Sequence, residues 1–212
     1  MRFITIKMDN NNKKLPVGQF YVPPIQDFKE VVDNIIKTKC YSEHGTLLRN
    51  LEKELSIYLG VNYVLGVTNA TVGLIIALEA LHDDGAIITP RYSFPATMNA
   101  ICMIGANIFY CDTFQDTPNI CLDSLEDKLI NNNSISTILI PNLWSTINEL
   151  EDIKFLSNKY NVALIYDSSQ AFSCSYEGKK ISNNGNAEVF SFHATKLVTA
   201  FEGGCITTNN SS

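Results

Sequence analysis

The chain has 212 residues, 45% of them hydrophobic and 18% charged, a balance that supports one sizeable core and excludes an intrinsically disordered chain. Its net charge of −6, from 16 Lys+Arg against 22 Asp+Glu, and the lack of any Lys/Arg-rich run argue against nucleic acid as a partner. No apolar run approaches the ~18 residues that span a membrane, and the N-terminus turns polar at Asp9 without the apolar core of a signal peptide.

Residues 1–24 read as an N-terminal arm, extended over 15–24 and ending in Pro23-Pro24. A helix follows over 25–38, where Phe28, Val31, Val32, Ile35 and Ile36 recur at helical spacing. A second helix over 47–59 carries Leu48, Leu51, Leu55 and Leu59 on one face and stops at Gly60. From there apolar strands and amphipathic helices alternate. Strands are predicted at 61–67, 86–89, 106–111, 137–141, 162–167, 188–191 and 204–208. Helices are predicted at 70–81, 94–104, 124–130 and 150–160. This alternation implies βαβ units, hence an α/β fold with a mostly parallel sheet, helices on both faces and strands buried on both sides.

Cys40, Cys102, Cys111, Cys121, Cys174 and Cys205 form no C-x-x-C pair and have no zinc-ligand spacing to a histidine. Several lie inside apolar runs, and they read as buried reduced thiols suited to a reducing cytosol. His44 and His82 read as surface residues, and no Asp/Glu/His cluster has metal-site spacing.

Ligands of parallel sheets sit beyond the carboxyl ends of the strands, and four such ends carry suitable residues. Asn69-Ala70-Thr71 opens a helix, whose free N–H groups suit a phosphate, although an ordinary Asn or Thr cap would look the same. Phe94, at a strand-to-helix turn, could stack on a flat ring or simply fill the core. Asp167 ends an apolar strand, where a carboxylate needs a partner; a protonated ring nitrogen would serve, and a loop cap is the alternative. Lys196, between Phe190–Thr195 and Glu202-Gly203-Gly204, would be a better nucleophile if partly desolvated; alone it reads as a solvated loop lysine. His193 could serve a cofactor or be a hydrogen-bonded structural residue.

Taken together, and in this chain order, these segments resemble the DegT/DnrJ/EryC/StrS sugar aminotransferases, within the aspartate-aminotransferase superfold of pyridoxal phosphate enzymes. The similarity runs from about Gly18 to the last residue. Its most specific part is Ser191-Phe192-His193-Ala194-Thr195-Lys196 with Glu202-Gly203-Gly204; Tyr166–Phe172, Pro90–Thr97 and Ala70-Thr71 add to it. Within the family the chain looks most like the viosamine-type enzymes that aminate C4 of dTDP-4-keto-6-deoxyglucose.

The resemblance implies pyridoxal 5'-phosphate as cofactor. Lys196 would carry it as a Schiff base and move the proton. Asp167 would pair with the pyridine nitrogen, Gln170 would contact the ring-hydroxyl side, and Phe94 would stack on the ring. Ala70, Thr71 and Ser191 would hold the phosphate. An amino acid, commonly glutamate, would supply the amine and a nucleotide-linked keto sugar would take it, in a cytoplasmic homodimer serving deoxyamino-sugar or surface-polysaccharide synthesis. Some related dehydratases have histidine where this chain has Lys196, which favours amino transfer.

Two segments depart from the family pattern: Cys40–Thr46, and Asn142-Leu143-Trp144-Ser145-Thr146, which lacks the usual glycine and must turn differently. Family chains also continue into a second, smaller domain. Residues 25–212 are therefore expected to be a cofactor-binding large domain truncated at the C-terminus. A non-catalytic binding or assembly module, or half of a split enzyme, is the competing reading. An amino-acid aminotransferase or a desulfurase of the same fold fits the His-Ala-Thr-Lys context less well.

Overall fold

The computed structural model describes residues 24–41, 45–182 and 184–211. The expected arm and His44 lie outside this set, apart from Pro24. The chain runs α1 (Ile25–Thr38), α2 (Thr46–Leu59), β1 (Tyr63–Val67), α3 (Ala70–Leu81), β2 (Ala86–Pro90), α4 (Pro95–Met103) and β3 (Asn107–Cys111). It continues through α5 (Leu122–Asn131), β4 (Ile135–Pro141), α6 (Leu150–Tyr160), β5 (Ala163–Asp167), β6 (Ser175–Tyr176), β7 (Lys179–Lys180), β8 (Ala187–Ser191) and β9 (Gly204–Thr208).

Seven strands form one sheet in the order β1-β9-β8-β5-β4-β2-β3. β2, β3, β4, β5 and β8 pair in parallel, while β9 runs antiparallel to β8 and β1 on its two sides. Because side chains alternate across a strand, the inner strands feed two cores. Ile88, Ile138, Ile140, Leu164, Tyr166, Phe190 and Cys205 face one core, with α2, α5 and α6. Ile87, Leu139, Ile165, Val189 and Ile206 face the other, with α3 and α4. Helix α3 packs Ala70, Gly73, Leu74, Ala77 and Leu78 inward, while Val72 and Ile76 are exposed. A Cβ on its Gly73 would stand 2.9 Å from Val189 Cγ1 and 3.2 Å from Val67 Cγ2, so this glycine lets helix and sheet approach closely.

Some expectations need correction. The strand predicted from residue 61 starts at Tyr63. Gly60 ends α2 with φ 71, and Val61 N–H turns back to the Ser56 carbonyl at 3.2 Å. The helix predicted from residue 124 starts at Leu122; the Ser124 hydroxyl accepts the Asp112 N–H at 3.0 Å and donates to Asp112 Oδ2 at 3.1 Å. Burial on both sides holds for β2 and β8; β1 and β3 are sheet edges with exposed side chains such as Leu65 and Tyr110. Cys111 and Cys205 are buried, whereas Cys40 and Cys102 are exposed. Cys102 lies in an apolar run, but helical rotation turns Ala100 and Ile101 inward and Cys102 and Met103 outward. His82 is half-buried, with Nδ1 3.3 Å from Ser136 Oγ. The small β6–β7 hairpin is too short to leave a periodic signal.

Candidate active site

The strand-end candidates emerge at one edge of the sheet. There β1, β2, β4, β5 and β8 end, and β9, reversed, begins. On the β1 side, Gly204 of β9 is in register with Val67 of β1 and Ser191 of β8. A Cβ on Gly204 would lie 2.7 Å from Phe190 O, 3.1 Å from Ala70 N and 3.2 Å from Asn69 C. Only a residue without a side chain allows the start of α3 to approach β9 so closely. Asn69 caps α3 by accepting the Val72 N–H at 3.0 Å, which leaves the first two helical N–H groups, of Ala70 and Thr71, without intrahelical partners. Ser191 is buried, and its hydroxyl accepts the His193 N–H at 3.3 Å. The expected phosphate residues thus lie around the same glycine contact, and Asn69 does cap the helix.

Asp167 is 5% exposed at the end of β5. Its Oδ2 accepts from the Thr97 hydroxyl at 2.6 Å, and its Oδ1 accepts from the Ser169 hydroxyl (2.6 Å) and N–H (3.2 Å). Thr97, fully buried in the first turn of α4, ends the Pro90–Thr97 segment of the resemblance but was given no role there. Lys196 is half-buried, with Nζ 5.9 Å from the centre of the Phe94 ring. Burial lowers its amine below the ordinary lysine range, while the nearby Asp167 carboxylate pulls the other way. Phe94 is 57% exposed, so it is not core.

Lys196 also lines a cleft of about 400 Å³ with Trp144, Ser145, Ser169, Gln170, Phe172, Thr195 and Leu197. Gln170 is fixed there: its Oε1 accepts the Trp144 N–H and its carbonyl accepts the Ser145 hydroxyl, both at 2.7 Å. The glycine-free loop turns as a 3₁₀ segment, Leu143–Ser145, with φ 51 at Trp144 and φ 62 at Ser145. Left-handed backbone at a non-glycine residue costs on the order of 1–3 kcal/mol, and such strain concentrates at functional sites. Ala70, Thr71, Phe94, Ser191 and Asp167 do not line this cleft; they flank it along the same edge. His193 is engaged structurally. Its Nδ1 accepts the Thr195 N–H at 3.2 Å, and Nε2 faces Glu202 Oε1 at 3.4 Å.

A mostly parallel α/β sheet with a lysine, a buried carboxylate and a glycine-lined helix start along one edge has the architecture of the fold-type I pyridoxal phosphate enzymes. The DegT/DnrJ/EryC1/StrS aminotransferase family model matches residues 25–212, and the chain belongs to that family. It is 31% identical over 198 residues to a dTDP-4-amino-4,6-dideoxy-D-glucose transaminase of Shigella dysenteriae, covering 93% of this chain and 53% of that one. It is 34% identical over 168 residues to a UDP-4-amino-4,6-dideoxy-N-acetyl-beta-L-altrosamine transaminase of Campylobacter jejuni, covering 78% and 44%. The crystal structure of DesI in the presence of its TDP-sugar product superposes with a TM-score of 0.85 at 29% identity, over 93% of this chain and 50% of DesI. The chain spans about half the length of the curated relatives it matches. Among the described residues no helix is long and apolar enough to cross a membrane, and no His/Cys/Asp/Glu group could hold a metal ion.

Proposed function

We propose that this chain binds pyridoxal 5'-phosphate and contributes the cofactor half of a transaminase that aminates a keto-deoxysugar nucleotide. One observation carries this reading: a single sheet edge brings together a helix start packed on Gly204 with two N–H groups that lack intrahelical partners, a buried carboxylate and a partly desolvated lysine beside an exposed ring. These residues fit the cofactor. The Ala70 and Thr71 N–H groups and the Ser191 hydroxyl would hold its phosphate. Asp167, fixed by Thr97 and Ser169, would keep a ring nitrogen protonated, and Phe94 would cover one ring face. When bound, the cofactor supplies an electron sink for the carbon that gains or loses the amine.

The protein's own part is to bind, orient and move a proton. Burial favours the neutral Lys196 amine, which is the form that attacks a carbonyl carbon and accepts a proton. Gln170, locked by Trp144 and Ser145, forms a fixed wall of the cleft. The relatives' names support a nucleotide-linked keto sugar as amine acceptor and an amino acid, glutamate by family resemblance, as donor. Exposed apolar residues beside the lysine, Leu197, Val198 and Phe201, support a homodimer that would cover them. A cytoplasmic setting fits the free thiols.

The test is addition of pyridoxal phosphate to the wild-type chain and to Lys196→Ala. A visible absorption band in the wild type alone supports the reading, and its absence from the wild type refutes cofactor binding. Assay with dTDP-4-keto-6-deoxyglucose and glutamate then identifies the substrate pair. Cofactor binding with no amination by this chain would instead favour the binding-module reading.

A further inference from the structure

Behind the cleft wall runs a chain of buried polar side chains. Glu188 lies on β8, in register with Tyr166 of β5. Its Oε1 accepts from the Ser168 hydroxyl at 2.5 Å. Ser168 Oγ in turn accepts from Asn142 Nδ2 at 2.9 Å. Asn142 Oδ1 accepts from Asn148 Nδ2 at 3.0 Å and from Asn148 N at 3.3 Å. None of the four is more than 1% exposed. Asn142 and Asn148 stand at the two ends of the loop that carries Trp144 and Ser145. That loop has left-handed backbone at its tip and makes two hydrogen bonds to Gln170. A loop in this conformation persists only where its ends are held.

We propose that Glu188 is a positioning residue: through Ser168 and Asn142 it holds the loop between Asn142 and Asn148, and so sets Trp144 and Gln170 in the cleft according to its own state of protonation. The link from Glu188 to the loop stands on the hydrogen-bond chain alone. Its consequence for cofactor binding rests on the function proposed above.

Geometry leaves the carboxyl underused. Glu188 Oε2 and the Tyr166 hydroxyl, on adjacent strands, are both buried without a hydrogen-bond partner. Burial pushes the carboxyl up to about 7, while the Ser168 hydroxyl and the Asn184 amide, which is near Oε2 but outside hydrogen-bond geometry, pull it down. The titratable groups that face it are Tyr166 from β5 and Cys205 from β9; burial keeps both in their neutral forms, Cys205 up to about 12. Glu151 of α6 acts on Tyr166 from further away. With its proton on Oε2, Glu188 is a neutral donor and acceptor. Without it, the carboxylate is an acceptor only and draws on Ser168, the hydroxyl through which Asn142 is held.

Trp144 is the only tryptophan in the chain, so its fluorescence reports the loop without any cofactor. The cofactor-free wild type should change emission with a midpoint near pH 7. Glu188→Gln should stay at the wild type's low-pH emission throughout. Ser168→Ala, which keeps the carboxyl but cuts the chain, should lose the titration as well. Far-UV circular dichroism checks that each variant is folded. A flat wild-type profile, or a wild-type titration persisting in either folded variant, overturns the inference. Pyridoxal phosphate affinity should vary several-fold between pH 6 and 8 in the wild type and not in Glu188→Gln. If the fluorescence behaves as expected and no cofactor binds, the proposed function fails while the link from Glu188 to the loop stands.

Discussion

Replacing Gly204 by Ala places a methyl group against the start of α3, where the phosphate is proposed to bind. Its carbon would stand 2.7 Å from Phe190 O, 3.1 Å from Ala70 N and 3.2 Å from Asn69 C. All three are backbone atoms of β8 and of the start of α3, so no side chain can swing aside. Forced packing of this kind costs about 1–3 kcal/mol of stability. It also obstructs the Ala70 N–H. Loss of one hydrogen bond to a charged group is worth about 1.5–3 kcal/mol, or roughly a 10- to 150-fold weaker affinity. Gly203→Ala is the control, because a Cβ there meets Ala200 Cβ at 3.4 Å and Phe192 Cβ at 3.6 Å, which is ordinary contact. Urea unfolding measures the first effect, and titration with pyridoxal phosphate followed by absorbance measures the second. If Gly204→Ala binds the cofactor as tightly as Gly203→Ala, the phosphate does not sit where these residues place it.

Thr97→Val removes the 2.6 Å hydrogen bond to Asp167 inside the protein and should cost about 1.5–3 kcal/mol in urea unfolding, with weaker cofactor binding. Asn69→Ala removes the α3 cap and should cost about 1 kcal/mol, measured the same way. Stability should also depend on pH through Glu188. Its carboxyl is raised from 4.5 to about 7 in the folded chain, so the folded state holds the extra proton between those values. Its contribution is full below about pH 4.5 and is lost as pH rises through about 7, amounting to about 3 kcal/mol; Glu188→Gln should flatten this slope in urea titrations across pH. A thiol reagent applied to the native chain should label Cys40 and Cys102 and spare Cys111 and Cys205, whose thiols burial pushes up to about 12; peptide mass spectrometry reads the sites.

Much of this architecture was legible because strand-to-helix alternation leaves a strong periodic trace. Helices α1, α3 and α6 fall where hydrophobic spacing places them. That the candidate residues gather was legible through short motifs at strand ends, since a parallel sheet brings those ends together. What stayed hidden depends on contacts distant in sequence. Thr97 stood in the Pro90–Thr97 segment, but that segment does not say that its hydroxyl holds a carboxylate 70 residues away. Gly204 looks like half of a Gly-Gly turn, and its role shows only when β9 lies against the start of α3. The loop after β4 was expected to turn without glycine, but the left-handed Trp144 and Ser145 and the buried asparagines at its ends belong to the tertiary fold. The apolar stripe of α1 was equally clear in sequence, yet the helix has no buried residue; periodicity marks a face and does not say what covers it.

Whether Lys196 holds the cofactor, as proposed, is decided by incubating the chain with pyridoxal phosphate, reducing with borohydride, and mapping the adduct by proteolysis and peptide mass spectrometry. One stoichiometric cofactor adduct is expected, on the peptide containing Lys196 and lost in Lys196→Ala. A principal adduct on any other lysine, or none at saturating cofactor, would contradict the proposal.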